Sequence, residues 1–282
     1  VGTSLLEYFP LIGSAVRKVL IGGEEVNANT LLIFFNFHTA VLPILILLLM
    51  AYHFWSVRKV GGIMLPKKVD EKKMIPVYPN LIYQEFIVAL VLIAVVLTFS
   101  VFFNAPLLAK ANPDISINPT KAPWYFAGIQ ELLMHFHPFV AAFLIPLAIA
   151  FALAYLPYLK LKDEPSGFWF QSEKGKEAAK FSAIAALLFT TLLVVVNEFV
   201  PDFETLLPWL NSFLSNGIIP LLILLLMLWY YYKFALNKFN LNFTEVIQTM
   251  FVFLSTSFIV LTLIGIFLRG VNMALTFTWN VL

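Results

Sequence analysis

The sequence contains no cysteine among its 282 residues, and charged residues make up only 12% of the chain. Without thiols, the chain can form no disulfide, thiolate zinc site, iron–sulfur cluster or thioether-attached haem from its own residues. Any redox chemistry must therefore use histidine, a bound cofactor or a partner subunit. Because soluble globular domains have about 25% charged residues, the composition also excludes an ordinary soluble enzyme. The net charge of +2 with scattered basic residues gives no nucleic-acid surface.

Hydrophobic residues are abundant, at 61% of the chain, and the mean hydropathy is +0.88. Six apolar stretches are long enough to cross a bilayer, because a hydrocarbon core about 30 Å thick needs roughly 20 helical residues. They lie at about 31–57, 84–103, 138–158, 181–200, 213–235 and 246–268. The sequence therefore predicts an all-α, polytopic transmembrane helical bundle with about six spans and amphipathic outer-surface helices.

Basic residues are concentrated in alternate loops, and such loops are retained on the cytoplasmic side of a membrane. These residues are Arg58, Lys59, Lys67, Lys68, Lys72, Lys73, Lys160, Lys162, Lys174, Lys176, Lys180, Lys233 and Lys238. We therefore expect an integral protein of the bacterial cytoplasmic membrane, with residues 1–30 and a Pro-rich loop at 104–137 on the outer, periplasmic face. Asn29 or Thr30 is the expected N-cap of the first span.

Two histidines, His38 and His53, lie fifteen residues apart in the first span. In an α-helix this separation is about 60° around the axis and about 22 Å along it. Both imidazoles then face broadly one way, one near each membrane boundary. Ionisable groups inside a membrane are functional candidates, and we predict that each histidine ligates a haem iron. Pro43 is expected to bend or loosen the helix between them.

Two six-coordinate haems need four axial ligands, and this chain offers two in suitable positions. His135 and His137 lie in the outer loop and cannot reach a haem at the cytoplasmic end. We therefore expect the other two ligands to come from helices outside this chain. The start at Val1 is interpreted in the same way, as a cut through a longer dihaem core.

The stretch that carries a family resemblance is NTLLIFFNFHTAVLP at residues 29–43, followed by His53. It resembles the fourth transmembrane helix of cytochrome b in quinol–cytochrome c oxidoreductases. The segment 2–23 is similar to the outer-surface helices that precede that helix in the family. Residues 121–126, KAPWYF, fall where the family has its Pro-Glu-Trp-Tyr motif. The resemblance covers about residues 1–160 well and the rest loosely.

The resemblance implies a cytochrome b-type subunit with two b-type haems, an outer one at His38 and an inner one at His53. It places Trp124 and Tyr125 at an outer quinol-oxidation site, although as an interfacial aromatic belt the pair would need no such role. Arg58, just past His53, is a candidate partner for haem propionates or an ordinary topology signal.

One departure from the family motif concerns its glutamate, which aligns here with Pro123. A proton acceptor is still needed, because quinol oxidation releases two protons. Glu131 follows eight residues later on a predicted short helix, Trp124 to Phe136, and is the candidate replacement; the alternative is a solvated helix residue. His135 and His137 are candidates for proton exit or partner docking, or ordinary surface histidines.

We divide the chain into residues 1–60, with outer helices and the dihaem-ligating span; 61–160, with the quinol-site loop 104–137; and 161–282, with additional spans. The implied function is quinol (menaquinol) oxidation coupled to proton translocation. The implied partners are the missing cytochrome b helices, a Rieske iron–sulfur protein, a c-type cytochrome and membrane lipid, in a homodimeric complex. Two alternatives remain: a dihaem quinone-reactive anchor of a nitrate reductase or hydrogenase, and a non-redox membrane subunit.

Overall fold

A computed structural model describes residues 2–62, 76–104, 118–159, 169–170 and 172–276. The helices are α1 (Gly13–Ile21), α2 (Ala28–Lys59), α3 (Val77–Phe102), α4 (Ala127–His135), α5 (Val140–Tyr158), α6 (Glu173–Phe199), α7 (Leu214–Phe239) and α8 (Phe243–Phe267). Shorter helical turns lie at Ser4–Tyr8, Trp124–Phe126, Phe203–Leu206 and Val271–Met273. Six of the helices are long and apolar enough to cross a membrane. The predicted all-α membrane protein with six spans is thus confirmed.

The first span begins one turn earlier than expected, with Asn27 as its N-cap. The Asn27 side chain accepts hydrogen bonds from the backbone N–H groups of Asn29 and Thr30, and the Thr30 hydroxyl accepts one from the Asn27 N–H. This reciprocal pair is a capping box. The predicted caps at Asn29 or Thr30 are wrong, because the earlier Asn27 reaches the same free N–H groups. Thr30 also donates to the Ile21 carbonyl at 2.5 Å, which ties α2 to α1.

Three spans contain a π turn two residues before a proline. The pairs are Phe37–Val41 with Pro43 in α2, Val140–Leu144 with Pro146 in α5, and Leu214–Ile218 with Pro220 in α7. Proline cannot donate a backbone hydrogen bond, and its ring clashes with the carbonyl four residues earlier. In the wider π turn each hydrogen bond spans five residues, so the turn gives the proline ring more room and does not require a hydrogen bond from its nitrogen. The loosening predicted at Pro43 takes this form.

Helix α8 packs closely against α4 through glycine. A Cβ atom on Gly128 of α4 would lie 2.6 Å from the Thr262 hydroxyl, and one on Gly265 would lie 3.0 Å from the Ala127 carbonyl oxygen. The hydrophobic effect does not drive helices together within a membrane, because lipid tails are as apolar as the side chains. Close van der Waals packing is therefore a main source of helix association there. Small residues at this crossing therefore hold the short outer helix on the bundle.

The chain forms two compact units. Residues 64–117 are one, and its described part contains the apolar helix α3. Residues 1–63 and 118–282 are the other, and it holds every contact discussed below. The three-part division made from sequence stays a prediction. Lys67, Lys68, Lys72 and Lys73 of the basic loop, and residues 105–117 of the Pro-rich loop, lie outside the described residues.

Candidate functional site

Both histidines of α2 present their rings on the surface of the helix. His38 lies in the π turn and His53 in the regular α-helical part, and both side chains are exposed. Neither ring has a hydrogen-bond partner among the described residues, and His53 has one ring contact, with Phe54 at 5.9 Å. Since a polar ring facing lipid is unfavourable, these imidazoles require partners that the described residues do not supply.

The π turn changes the angle between the two imidazoles. It holds one residue more than an α turn, so the residues beyond it are displaced by about 100° relative to a regular helix. The fifteen-residue spacing then acts like a spacing of fourteen, which is about 40° around the axis and about 21 Å along it. Both rings therefore still share one face, near opposite ends of the span.

This donor set fits a haem at each end of the helix. A neutral imidazole with a free nitrogen is a standard axial ligand of haem iron, and both rings leave their nitrogens free. Each imidazole would supply one ligand to a haem iron, and any further protein ligand would come from outside α2. Arg58 follows His53 by five residues, is exposed and forms no ion pair with a described residue. Its cation is therefore free to bind a carboxylate such as a propionate.

Trp124 and Tyr125 form an exposed aromatic pair at the start of the outer helix. They lie in a 3₁₀ turn that begins after Pro123, and their rings meet edge to face at 5.6 Å. The side chains are 70% and 56% exposed. No hydrogen bond, ion pair or ring contact among the described residues joins this pair to His38, His53 or Glu131. The structure thus places the pair at an open surface and does not assemble it with the other candidates.

Glu131 is fully buried, so the alternative of a solvated helix residue is wrong. Its carboxylate accepts hydrogen bonds from the Arg269 guanidinium, with Nε at 3.0 Å from Oε2 and Nη2 bound to Oε1. Arg269 is also fully buried. Its Nη1 donates to Glu198 Oε2 at 2.7 Å and to the Met273 carbonyl at 2.9 Å. Two carboxylates and one guanidinium therefore form a connected cluster between α4, α6 and the segment after α8.

The cluster also contains His135, one turn after Glu131 on α4. His135 Nε2 lies 3.2 Å from Glu131 Oε1, and the side chain is 11% exposed. Because a carboxylate only accepts hydrogen bonds, Nε2 is the protonated nitrogen when the ring is neutral. The other nitrogen, Nδ1, is buried and has no partner among the described residues. His135 therefore carries an unused acceptor nitrogen next to a buried anion.

The ionisation of Glu131 follows from this geometry. Burial by itself raises the pKa of a carboxyl group, but the hydrogen bonds from His135 and Arg269 outweigh it and hold the pKa of Glu131 below its usual value. Glu131 is therefore a carboxylate at neutral pH. A group so strongly held as an anion accepts a proton poorly, which limits its use as a general base.

The sequence did not identify Arg269 and Glu198 as partners of Glu131. They lie 138 and 67 positions further along the chain, and only their positions at the ends of spans gave a signal. All three residues fall on the side assigned to the outer face. Oppositely charged residues at the ends of spans on the same side of the membrane are candidates for ion pairs. Which of them pair can be decided only from the packing of the helices.

His137 lies outside this cluster, in an aromatic environment. Its ring contacts Tyr8 at 5.3 Å and Phe213 at 5.5 Å, both edge to face. Burial lowers the pKa of His137, with a smaller opposing effect of Glu204. Phe9 contacts Phe139 at 5.7 Å nearby. Residues of 1–30 and of 118–139 thus meet, which confirms the prediction that these segments share one face.

Comparisons with known proteins address the N-terminal part of the chain. Residues 1–119 match the family model described as cytochrome b (N-terminal)/b6/petB. The resemblance to cytochrome b is confirmed for this part. A 55-residue stretch is 46% identical to cytochrome b6 of Synechococcus elongatus and, equally, to cytochrome b6 of a further Synechococcus strain. The stretch covers 20% of this chain and 26% of the length of each relative.

The matched region contains α2 with both candidate haem ligands. The match to this N-terminal family model ends at residue 119, so the outer helix α4, its charge cluster and the last four spans lie outside it. Roles given to Tyr125 and Glu131 therefore rest on the motif position and on the contacts described above.

Proposed function

We propose that this chain is a cytochrome b-type subunit of a membrane quinol oxidoreductase. In it, His38 and His53 each hold a b-type haem, and quinol is oxidised at an outer-face site that includes Trp124 and Tyr125. The observation that carries the proposal is the pair of exposed imidazoles without partners at opposite ends of one apolar helix, within the region that matches cytochrome b.

When bound, the two haems supply one-electron carriers near the two membrane boundaries. The residues of this chain position them: α2 fixes the imidazoles about 21 Å apart along one face, and Arg58 offers a cation near the inner one. The second axial ligands come from other cytochrome b helices, on this polypeptide or on a separate subunit.

The proposed outer site uses two separate features of one segment, the exposed aromatic pair before α4 and the largely buried base His135 on α4. The exposed rings of Trp124 and Tyr125 offer faces on which a quinol ring can stack. His135 Nδ1 takes up a proton released from a quinol hydroxyl. Glu131, hydrogen-bonded to Nε2, then stabilises the imidazolium, as an anionic partner does for a protonating histidine. Glu131 is in this view a positioning residue that acts through His135.

The complete assembly follows from the same chemistry. Quinol gives up two electrons and two protons, so the electron that does not enter the haems needs a one-electron acceptor at the outer face. We propose a Rieske iron–sulfur protein for this acceptor and a c-type cytochrome beyond it, in a homodimeric complex of the bacterial cytoplasmic membrane. Protons released outside and taken up inside couple the reaction to proton translocation.

The haem assignment is tested by replacing each histidine with leucine in the intact complex. H38L and H53L should each lose one b-type haem, half of the dithionite-reduced α-band absorbance, while the other haem remains. H137L is the matched control, because it makes the same change at a histidine that we do not place near haem, and it should keep both. Retention of both haems in H38L or in H53L contradicts the assignment, and a wild-type complex without any b-type spectrum overturns the proposed function.

The role of the proton-accepting pair is tested by pH profiles of quinol oxidation. H135Q should lower kcat by about 10²-fold or more, the usual contribution of a positioned general base. E131Q should shift the acidic limb of the profile, because the imidazolium loses its anion. Unchanged profiles in both variants, with haem content intact, would remove the pair from the mechanism. Y125L, which removes the aromatic ring, tests whether that ring binds quinol, and a raised KM is expected if it does.

A further inference from the structure

An apolar groove lies between α6, α7 and α8, in the part of the chain beyond the cytochrome b match. Its volume is about 630 Å³, within the range of small-molecule pockets. Large side chains from all three helices line it, among them Phe181, Trp229 and Phe253. The groove is formed within the membrane-spanning parts of these helices, so its occupant must be apolar where it contacts them.

A second, smaller cavity continues the groove towards the end of α7. It has a volume of about 300 Å³ and shares Tyr230 and Phe234 with the groove, and it adds Lys233, Asn237 and Lys238. One occupant can therefore contact aromatic side chains at one end and two ammonium groups at the other.

The two lysines are held at this place without a counter-charge. Lys238 Nζ lies 4.5 Å from the ring centre of Phe181 and 5.1 Å from that of Phe234, which are cation–π contacts. Lys233 is exposed beside it. Neither ammonium forms an ion pair with an acidic group of the described residues. The site thus has a positive charge of about two, and no acidic side chain of the described residues is paired with it.

The depth of the lysines in the membrane matches lipid headgroups. Helix α7 has 26 residues, about 39 Å of helix, so its last turns extend beyond a hydrocarbon core about 30 Å thick. Trp229 and Tyr230, one to two turns before Lys233 and Lys238, are residue types that gather at that boundary. The lysines therefore lie where phosphate groups of the leaflet lie, at the end that the sequence assigns to the cytoplasm.

We propose that this groove is a binding site for an anionic phospholipid, with an acyl chain against Phe181, Trp229 and Phe253 and the phosphate against Lys233 and Lys238. An anionic lipid has an apolar tail that suits the aromatic end of the site and a negative headgroup that suits the lysine end. A zwitterionic lipid would leave the two cations only partly neutralised. This site is independent of the proposed quinol chemistry.

The test uses the delipidated complex, titrated in detergent with phosphatidylglycerol or phosphatidylcholine and followed by native mass spectrometry. The wild type should retain phosphatidylglycerol in preference to phosphatidylcholine. The variant K233Q/K238Q should bind phosphatidylglycerol about 25-fold more weakly, because each lysine near an anionic headgroup contributes roughly fivefold. K59Q is the matched control, since Lys59 also stacks on an aromatic ring, 5.1 Å from that of Trp55; it should bind like wild type.

A second variant tests the apolar part without changing charge. A185W places a large side chain in the groove, which Ala185 lines, and should displace the lipid while the lysines remain. Circular dichroism and haem absorbance show whether each variant is folded. Equal phosphatidylglycerol binding by K233Q/K238Q, K59Q and wild type overturns the proposal. So does equal binding of both lipids, or recovery of a quinone or a peptide helix in the groove of the native complex.

Discussion

Helix α2 and helix α8 are both apolar spans of similar hydropathy, yet they differ in how much of their surface the rest of the chain buries. None of the most apolar window of α2 is buried by the rest of the chain, whereas 28% of that of α8 is buried. The histidines that suit haem lie on α2, and the ion cluster of Glu131, Arg269 and Glu198 lies at one end of α8. The most apolar part of α2 is thus left uncovered by the described residues, whereas that of α8 is partly packed by its neighbours within the chain.

The difference begins in the side chains of the two helices. The stretch LPILILLLM of α2 is uniformly large and aliphatic, and such a surface suits lipid or a complementary partner equally well. Helix α8 instead presents Gly265 to Ala127 of α4, and Ser257 to Thr190 of α6, whose hydroxyl donates to the Ser257 oxygen at 2.9 Å. Small and hydroxylated residues let helix backbones approach and bond in a membrane. Packing between helices of this chain therefore depends more on the size of the residues at the contact than on the hydropathy of the helices.

The largest effect is expected from breaking the ion cluster. R269M leaves the carboxylate of Glu131 buried without its cation and should lower the free energy of unfolding by about 3–5 kcal/mol. R58M, the same change at an exposed arginine of α2 without an ion pair, should change it by less than about 0.5 kcal/mol. Denaturant unfolding in micelles measures both. A small effect of R269M would show that the packed region does not depend on the cluster.

The cost should be relieved in a double variant. E131Q/R269M removes the buried anion together with its cation, and replacing a whole buried pair is often nearly neutral. We expect it to be more stable than R269M, and equal stability of the two would contradict the electrostatic explanation.

A matched pair of isoleucine variants tests the packing itself. Ile264 of α8 is 5% exposed and Ile46 of α2 is 54% exposed. I264A should cost about 2 kcal/mol, at the low end for buried isoleucine because lipid is as apolar as the protein interior. I46A should cost little in the isolated chain. If I46A becomes costly only in the complete complex, the partner-receiving face of α2 is located directly.

A smaller effect is expected from acid, and it should appear first in the packed region. The pKa of Glu131 is lowered from an ordinary value of 4.5 and that of His137 from 6.5. For each group, the contribution to stability is present at a pH above its ordinary pKa, and it is lost as the pH falls from there through the lowered pKa of the folded state. The exchange rate of α4 and α8 peptides, divided by the intrinsic amide exchange rate at each pH, should therefore rise below pH 6.5 and more steeply below pH 4.5. H137Q should remove the first rise and E131Q the second; unchanged profiles would exclude these groups.

Much of the membrane architecture could be predicted from the sequence because it depends on local composition. Span lengths, the short helix after Pro123 and the place of Pro43 all follow from residues near one another in the chain. The two ligating candidates on α2 are local in the same sense, since one helix fixes their spacing. The π turn that alters their angle was not predicted beyond a general loosening at the proline.

Contacts between distant residues could not be predicted in the same way. The burial of Glu131 depends on Arg269 and Glu198, each brought there by a different helix, and no local pattern around Glu131 distinguishes a paired carboxylate from a solvated one. The lysines at the end of α7 have the same difficulty. In the sequence they are topology signals, and the position of Lys238 over Phe181 depends on how α6 packs beside α7.

The π turn of α7 helps to fix the position of α5 relative to α7 along the helix axes. Pro220 cannot donate to the carbonyl of Asn216 four residues earlier, and the backbone N–H of His137, just before α5, donates to that oxygen at 2.7 Å. An irregularity inside one helix thereby becomes a joint between two. Because both partners are main-chain atoms, non-proline substitutions at positions 137 and 216 leave the donor and the acceptor in place, and Pro220 determines which carbonyl is left without its helical donor.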